Sequence, residues 1–146
     1  MVWGGISADT KTPLVVIRGN LNAERYLNEV LAIQVVPLFQ QKAVSTFQQD
    51  NARPHTARIC RDYLEDNNIT VLPWPARSPD LSPIEHLWDI LGRRVKARQP
   101  ESTETLSNAL VEEWNAIPQE TIKNLIYSMR SRVRHVLGAN DGHTRY

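Results

Sequence analysis

Asp50 and Glu85 are the residues whose setting speaks most directly of chemistry. Asp50 ends Ser45-Thr46-Phe47-Gln48-Gln49-Asp50, running on into Asn51-Ala52, and Glu85 closes Ser78-Pro79-Asp80-Leu81-Ser82-Pro83-Ile84-Glu85, with 34 residues between them. Two carboxylates gathered by a fold from distant segments can hold divalent cations between them, and such ions cleave and rejoin phosphodiesters. Each acid also has a plainer reading. An Asp-Asn pair is good turn chemistry and can cap the helix after it. Ser82-Pro83-Ile84-Glu85 has the pattern of a capping box, in which the Glu side chain returns to the N-cap amide. A first-turn position also favours an ionised carboxylate, because the N-terminal end of a helix is electropositive.

Other side chains could surround such a pair. His55 can contact a phosphate, orient an acid or make only a local hydrogen bond. Arg93, Arg94, Lys96 and Arg98, and again Arg130, Arg132 and Arg134, form basic clusters that could neutralise phosphates or be solvated helix faces. The formal net charge of +1 decides nothing between these, since it averages over the arrangement. His86, His135 and His143 show no ligand-like spacing. Trp3, Trp74, Trp88 and Trp114 are expected in the core.

The elements that must position these residues follow from local pattern. Val2 to Ser7 and Leu14 to Arg18 read as a β-hairpin turning at Ala8-Asp9-Thr10-Lys11. Asn22 is a plausible N-cap, and Tyr26, Leu27, Val30, Leu31 and Val35 follow helical spacing up to Pro37, which is expected to kink or break that helix. Val44 to Gln49 reads as a strand ending on Asp50, a place where ligand sites form in open α/β sheets. Pro54 suits the first turn of a helix striped by Ala57, Cys60 and Leu64, stopped by Asp66-Asn67-Asn68. Ile69 to Leu72 is a strand. Residues 73–83 hold four prolines and read as a stiff, extended connector. Ser82 and Pro83 then open a helix carrying Ile84, Leu87, Trp88, Leu91 and Val95. Two further helices are striped by Leu106, Leu110, Trp114 and Ile117, and by Ile122, Leu125, Ile126, Met129, Val133 and Leu137 up to Gly138. Strands mixed with helices argue for one α/β domain, residues 1–146, with a helical C-terminal end.

Trp3-Gly4-Gly5-Ile6-Ser7, Gln49-Asp50-Asn51-Ala52 with His55, and the run from Trp74 through Glu85-His86-Leu87-Trp88 resemble the catalytic domain of mariner/Tc-like cut-and-paste DNA transposases. In that family the last two members of an Asp-Asp-Glu triad are spaced as Asp50 and Glu85 are here. The likeness extends to Leu125-Ile126-Tyr127-Ser128-Met129-Arg130 and to Gly142-His143-Thr144-Arg145-Tyr146. It implies a ribonuclease-H-like mixed sheet flanked by helices, a two-ion Mg²⁺ or Mn²⁺ site with Asp50 and Glu85 as catalytic metal ligands, and DNA, both transposon ends and target, as partner. His55, Arg93, Arg94, Lys96 and Arg98 are the expected nucleic-acid contacts. A homodimer is compatible with the family.

The family's first Asp lies on a strand upstream of Trp-Gly-Gly-Ile-Ser, central between the hairpin and the strand of Asp50, and no such strand precedes Trp3 here. Asp9, in the expected hairpin turn, is a poor substitute. The resemblance thus implies a catalytic domain present as a fragment, without the first strand and without N-terminal helix-turn-helix domains, whose ion site is impaired and whose standing as an enzyme stays open. A non-catalytic nucleic-acid-binding remnant is the alternative, and a ribonuclease-H-like nuclease of another kind is a third.

Composition sets the remaining bounds. A chain of 146 residues can bury a core without staples. Its single cysteine, Cys60, allows neither an internal disulfide nor a Cys-x-x-Cys zinc site, which suits a reducing compartment. No apolar stretch approaches the roughly 20 residues that span a bilayer, and the start lacks a signal-peptide pattern, so no membrane partner is expected. The expected location is the nucleus in a eukaryote, and otherwise the cell interior.

Overall fold

A computed structural model describes residues 1–41, 46–75 and 81–138. The expectations for Val44 and Ser45, for Ala76 to Asp80 and for Gly142 to Tyr146 lie outside the described residues. The chain divides into two compact units, one of Met1–Trp3 with Val15–Arg77 and one of Gly4–Leu14 with Ser78–Tyr146.

The first unit begins with the expected hairpin, reduced to its arms. β1 (Val2–Trp3) pairs antiparallel with β2 (Val15–Val16), Val2 opposite Val16 and Trp3 opposite Val15. The Ile17 amide extends the ladder to Met1 O at 2.8 Å. Asn22 then caps α1 (Ala23–Arg25) by accepting from the Arg25 amide at 2.9 Å. The helix widens at once into a π-helical stretch, Tyr26–Val35, and narrows again in α2 (Val36–Gln41).

Pro37 therefore does not break the helix. A proline donates no amide proton and its ring presses on the carbonyl four residues back, which would end a regular α-helix. Widening ahead of it moves the hydrogen-bond register to five residues, as in Val36 N–H to Leu31 O, and the helical path continues through residue 41. Tyr26, Val30, Leu31 and Val35 are buried along this stretch, against Ile17, Leu21, Val36, Cys60, Leu64 and Ile69.

β3 (Thr46–Phe47) pairs parallel with β4 (Thr70–Val71), Thr46 opposite Thr70. Among the described residues the two strand pairs form separate sheets with no ladder between them. Between β3 and β4 the single expected helix is two: α3 (Arg53–Thr56) and α4 (Arg58–Asp66), parted at Ala57, whose ψ of 140° is extended. Cys60 and Leu64 are buried as their spacing predicts. Asn68 takes the left-handed conformation, φ 56°, that turns the chain into β4.

In the second unit the hairpin turn is closed by the Ile6–Lys11 bridge, and Asp9 is exposed there, its amide donating to Ser7 Oγ. α5 (Pro83–Ala97) opens after Ser82 as expected and buries Leu87, Leu91 and Val95. α6 (Thr103–Ala116) buries Ala109 and Trp114, with Ile117 buried just beyond it as expected, while Leu106, the first residue of the expected stripe, faces solvent. The last expected helix is again two, α7 (Gln119–Tyr127) and α8 (Met129–Gly138), divided at Ser128, whose hydroxyl donates to Leu125 O at 2.6 Å. Spacing alone carried the apolar series across this break. Val133 is accordingly exposed, and Arg132 is buried with its guanidinium 3.2 Å from His86 Nδ1.

Candidate active site

The parallel β3–β4 pair delivers Asp50 three residues beyond the last residue of β3, where the chain leaves the sheet toward α3. Its side chain is 65% exposed, so the carboxylate is available to solvent and to ligands. One oxygen is tied down locally. Oδ1 accepts from the Ala52 amide at 3.0 Å, as an Asx turn does, and lies 2.6 Å from His55 Nδ1. An ionised carboxylate only accepts, so the proton of that contact belongs to Nδ1. Among the described residues Oδ2 takes no hydrogen bond and is the oxygen left to a ligand.

His55 is fixed on its other sides as well. Its ring lies against that of Tyr26, centroids 4.3 Å apart and planes tilted by 39°. Gln49 joins the three: its Oε1 accepts the Tyr26 hydroxyl proton at 2.6 Å and its Nε2 donates to His55 O at 3.4 Å. Burial pushes the Tyr26 phenol well above its ordinary range, so this hydroxyl remains a donor. Asn51 pins the neighbouring segment, donating to Trp74 O at 2.9 Å.

The sequence pointed to His55 but not to Tyr26 or Gln49. Tyr26 counted only as an apolar position on a helix. The available signal was its hydroxyl, because a buried Tyr O–H needs a partner, yet nothing local says that the partner lies twenty-three residues on.

Glu85 belongs to the second unit, exposed in the first turn of α5. The Ser82 side chain makes no capping hydrogen bond, so the capping box expected there does not form. Proline at the next position already supplies a helix start with no orphan amide at that residue. The box forms instead at α6, where Ser102 Oγ accepts from the Thr105 amide at 3.1 Å and Thr105 Oγ1 accepts from the Ser102 amide at 2.9 Å.

Arg93 and Arg94 of α5 and Arg98 just beyond it are engaged with acids. Arg93 pairs with Asp89 at 3.0 Å, Arg94 lies 4.0 Å from Glu113, and Arg98 bridges to Glu112 at 2.6 Å and Glu113 at 3.5 Å. Arg94 and Arg98 thereby tie α5 to α6. Lys96 is exposed and has no ion pair among the described residues. Nor do three His, Cys, Asp or Glu side chains cluster among the described residues as a ready-made cage. Mg²⁺ needs none: it keeps several waters and binds through one or two carboxylates together with substrate phosphates. An exposed, oriented carboxylate oxygen such as Asp50 Oδ2 fits that habit.

Comparison with known proteins identifies the family. The chain is 35% identical to the Tc3 transposase of Caenorhabditis elegans over 94% of its own length and 43% of that protein. It is 35% identical to the Tc1 transposase of the same organism over all of its length and 54% of that protein, so it spans about half the length of these curated relatives. The solved Mos1 transposase catalytic domain with raltegravir and Mg matches 99% of this chain and 75% of that one, at 28% identity and a TM-score of 0.80, and the same domain is also solved with Mn. The ribonuclease-H-like fold expected of the sequence is thereby the fold of this protein. A family model described as DDE superfamily endonuclease matches residues 1–107, and the chain belongs to that family.

Proposed function

We propose that this chain supplies the metal-dependent phosphodiester chemistry of a mariner/Tc-like cut-and-paste transposase, with Asp50 and Glu85 as the ligands of Mg²⁺ or Mn²⁺ and DNA as substrate. The observation that carries it is Asp50 itself: a carboxylate exposed at the end of a parallel strand, one oxygen held by Ala52 and His55 and the other without a protein partner. Glu85 meets the requirement as an exposed carboxylate in the first turn of α5. Bound divalent ions would activate a hydroxyl nucleophile and stabilise the leaving oxygen. The chain's own residues bind those ions and hold their carboxylates still.

Support for the DNA substrate comes from the relatives. Mos1 transposase has been solved in a strand transfer complex and in a paired-end complex with its left transposon end. By extension this protein acts on transposon ends and target DNA, as a homodimer, in the nucleus if its host is a eukaryote and otherwise in the cell interior.

Calorimetric Mn²⁺ titration and nicking of supercoiled plasmid test the reading. Asp50→Ala and Glu85→Ala should each abolish both signals. Metal binding that survives both substitutions overturns the assignment. Salt-dependent DNA binding without any metal-dependent cutting would instead identify a nucleic-acid-binding remnant.

A further inference from the structure

We propose that Tyr26 and Gln49 are positioning residues for the Asp50 carboxylate, acting through His55. The proposal rests on the reading of Asp50 as a metal ligand given above.

The contacts form a directed chain in which every polar group has one role. The Tyr26 hydroxyl donates to Gln49 Oε1 at 2.6 Å, which forces the Gln49 amide nitrogen toward His55 O, 3.4 Å away. The backbone of α3 at residue 55 is thus tied to the end of the β3 segment. The His55 ring is then confined on one face by the Tyr26 ring at 4.3 Å, and its Nδ1–H can point only along Asp50 Oδ1, 2.6 Å away. The His55 side chain is 16% exposed against 65% for Asp50, so the orienting partner is shielded while the oriented group is open. Fixing Oδ1 fixes the plane of the carboxylate, and with it the direction in which Oδ2 is presented. Histidine and carboxylate partners of this kind commonly set metal affinity from outside the ligand shell.

Tyr26 is wholly buried and opens the π-helical stretch, with its backbone amide still bonded to Asn22 O at 2.9 Å in regular α register. His55 also gains a more specific role. Its Nδ1 is committed to Asp50, so Nε2 is an acceptor in the neutral ring and can donate to a substrate phosphate only when the ring is an imidazolium.

The test uses Tyr26→Phe, Gln49→Leu, His55→Ala and His55→Asn, each with a thermal-unfolding control. The first readout is the Mn²⁺ dissociation constant. The second is the tautomer of the His55 ring in metal-free protein, followed by ¹⁵N correlation spectroscopy. Tyr26→Phe and Gln49→Leu should weaken Mn²⁺ about 10-fold and release the ring from the Nδ1–H tautomer into a mixture. His55→Ala should weaken Mn²⁺ by up to about 100-fold, whereas His55→Asn, whose amide stands near the Nδ1 position, should recover most of the loss. Wild-type values of both readouts in Tyr26→Phe and Gln49→Leu overturn the proposal. If Tyr26→Phe does not fold, Gln49→Leu, a half-buried position outside the core, decides alone. If the wild-type protein shows no Mn²⁺ binding that Asp50→Ala removes, the metal reading fails, and the tautomer measurement still decides whether Tyr26 and Gln49 hold the ring.

Discussion

At residue scale, Gly4 shows why a Trp-Gly-Gly start is more than a hairpin arm. A Cβ at that position would stand 2.9 Å from both Cη2 and Cζ2 of Trp114 and 3.1 Å from Cη2 of Trp88. Trp114 is wholly buried, its Nε1–H donates to Thr12 O at 2.8 Å, and the two indoles stack with centroids 5.2 Å apart. Neither ring can yield without breaking that stack. Gly4→Ala should therefore destabilise the protein by roughly 1–3 kcal/mol, in the range of core overpacking. Chemical denaturation with tryptophan emission as the probe measures it. The same corner is braced by Lys11, whose ammonium donates to the carbonyls of Trp114, Asn115 and Ile117 at 2.7, 3.1 and 2.7 Å and so closes the C-terminal end of α6.

At the scale of elements, the two Ser-led helix starts separate pattern from structure. Both Ser82 and Ser102 precede helices, but only Ser102 makes the reciprocal bonds of a capping box. Ser102→Ala should cost about 1 kcal/mol, and Ser82→Ala close to nothing. Paired urea titrations of the two variants check the contrast. The existence of most helices and of both strand pairs was legible because burial enforces periodicity: Leu87, Leu91 and Val95, or Cys60 and Leu64, had to face inward. Hydrogen-bond register was not legible. The π-helical stretch, the break at Ala57 and the break at Ser128 change which carbonyl an amide meets, and they leave the order of apolar residues almost untouched. In the site, Asp50 and His55 could be read from one short segment. Tyr26 and Gln49 could not, since their contact exists only after the helix and the strand have packed.

At the scale of the whole molecule, the DNA contact proposed above would draw on less free positive charge than the basic run from Arg93 to Arg98 suggests. Three of the four basic residues singled out on α5 already face carboxylates, and exposed pairs of this kind contribute only about 0–1 kcal/mol each to stability. Lys96 is the one among them with no acidic neighbour at ion-pair distance among the described residues. Lys96→Ala should thus flatten the slope of log affinity against log salt by about 0.9, whereas Arg98→Ala should show more in thermal stability than in that slope. Fluorescence anisotropy with a random-sequence duplex over a salt series distinguishes the two. An unchanged slope in Lys96→Ala would mark this face of α5 as solvated surface.

The thiol of Cys60 is wholly enclosed, 3.3 Å from Ala23 O, with burial pushing it above its ordinary range, and it is the chain's single cysteine. It belongs to the first unit, while the stacked pair Trp88 and Trp114 belongs to the second. The native chain therefore carries two spectroscopically independent clocks. A thiol reagent can advance only as fast as the first unit opens, and loss of the excitonic dichroism of the indole pair records the second, so the order in which the units come apart can be timed without adding a label to the sequence.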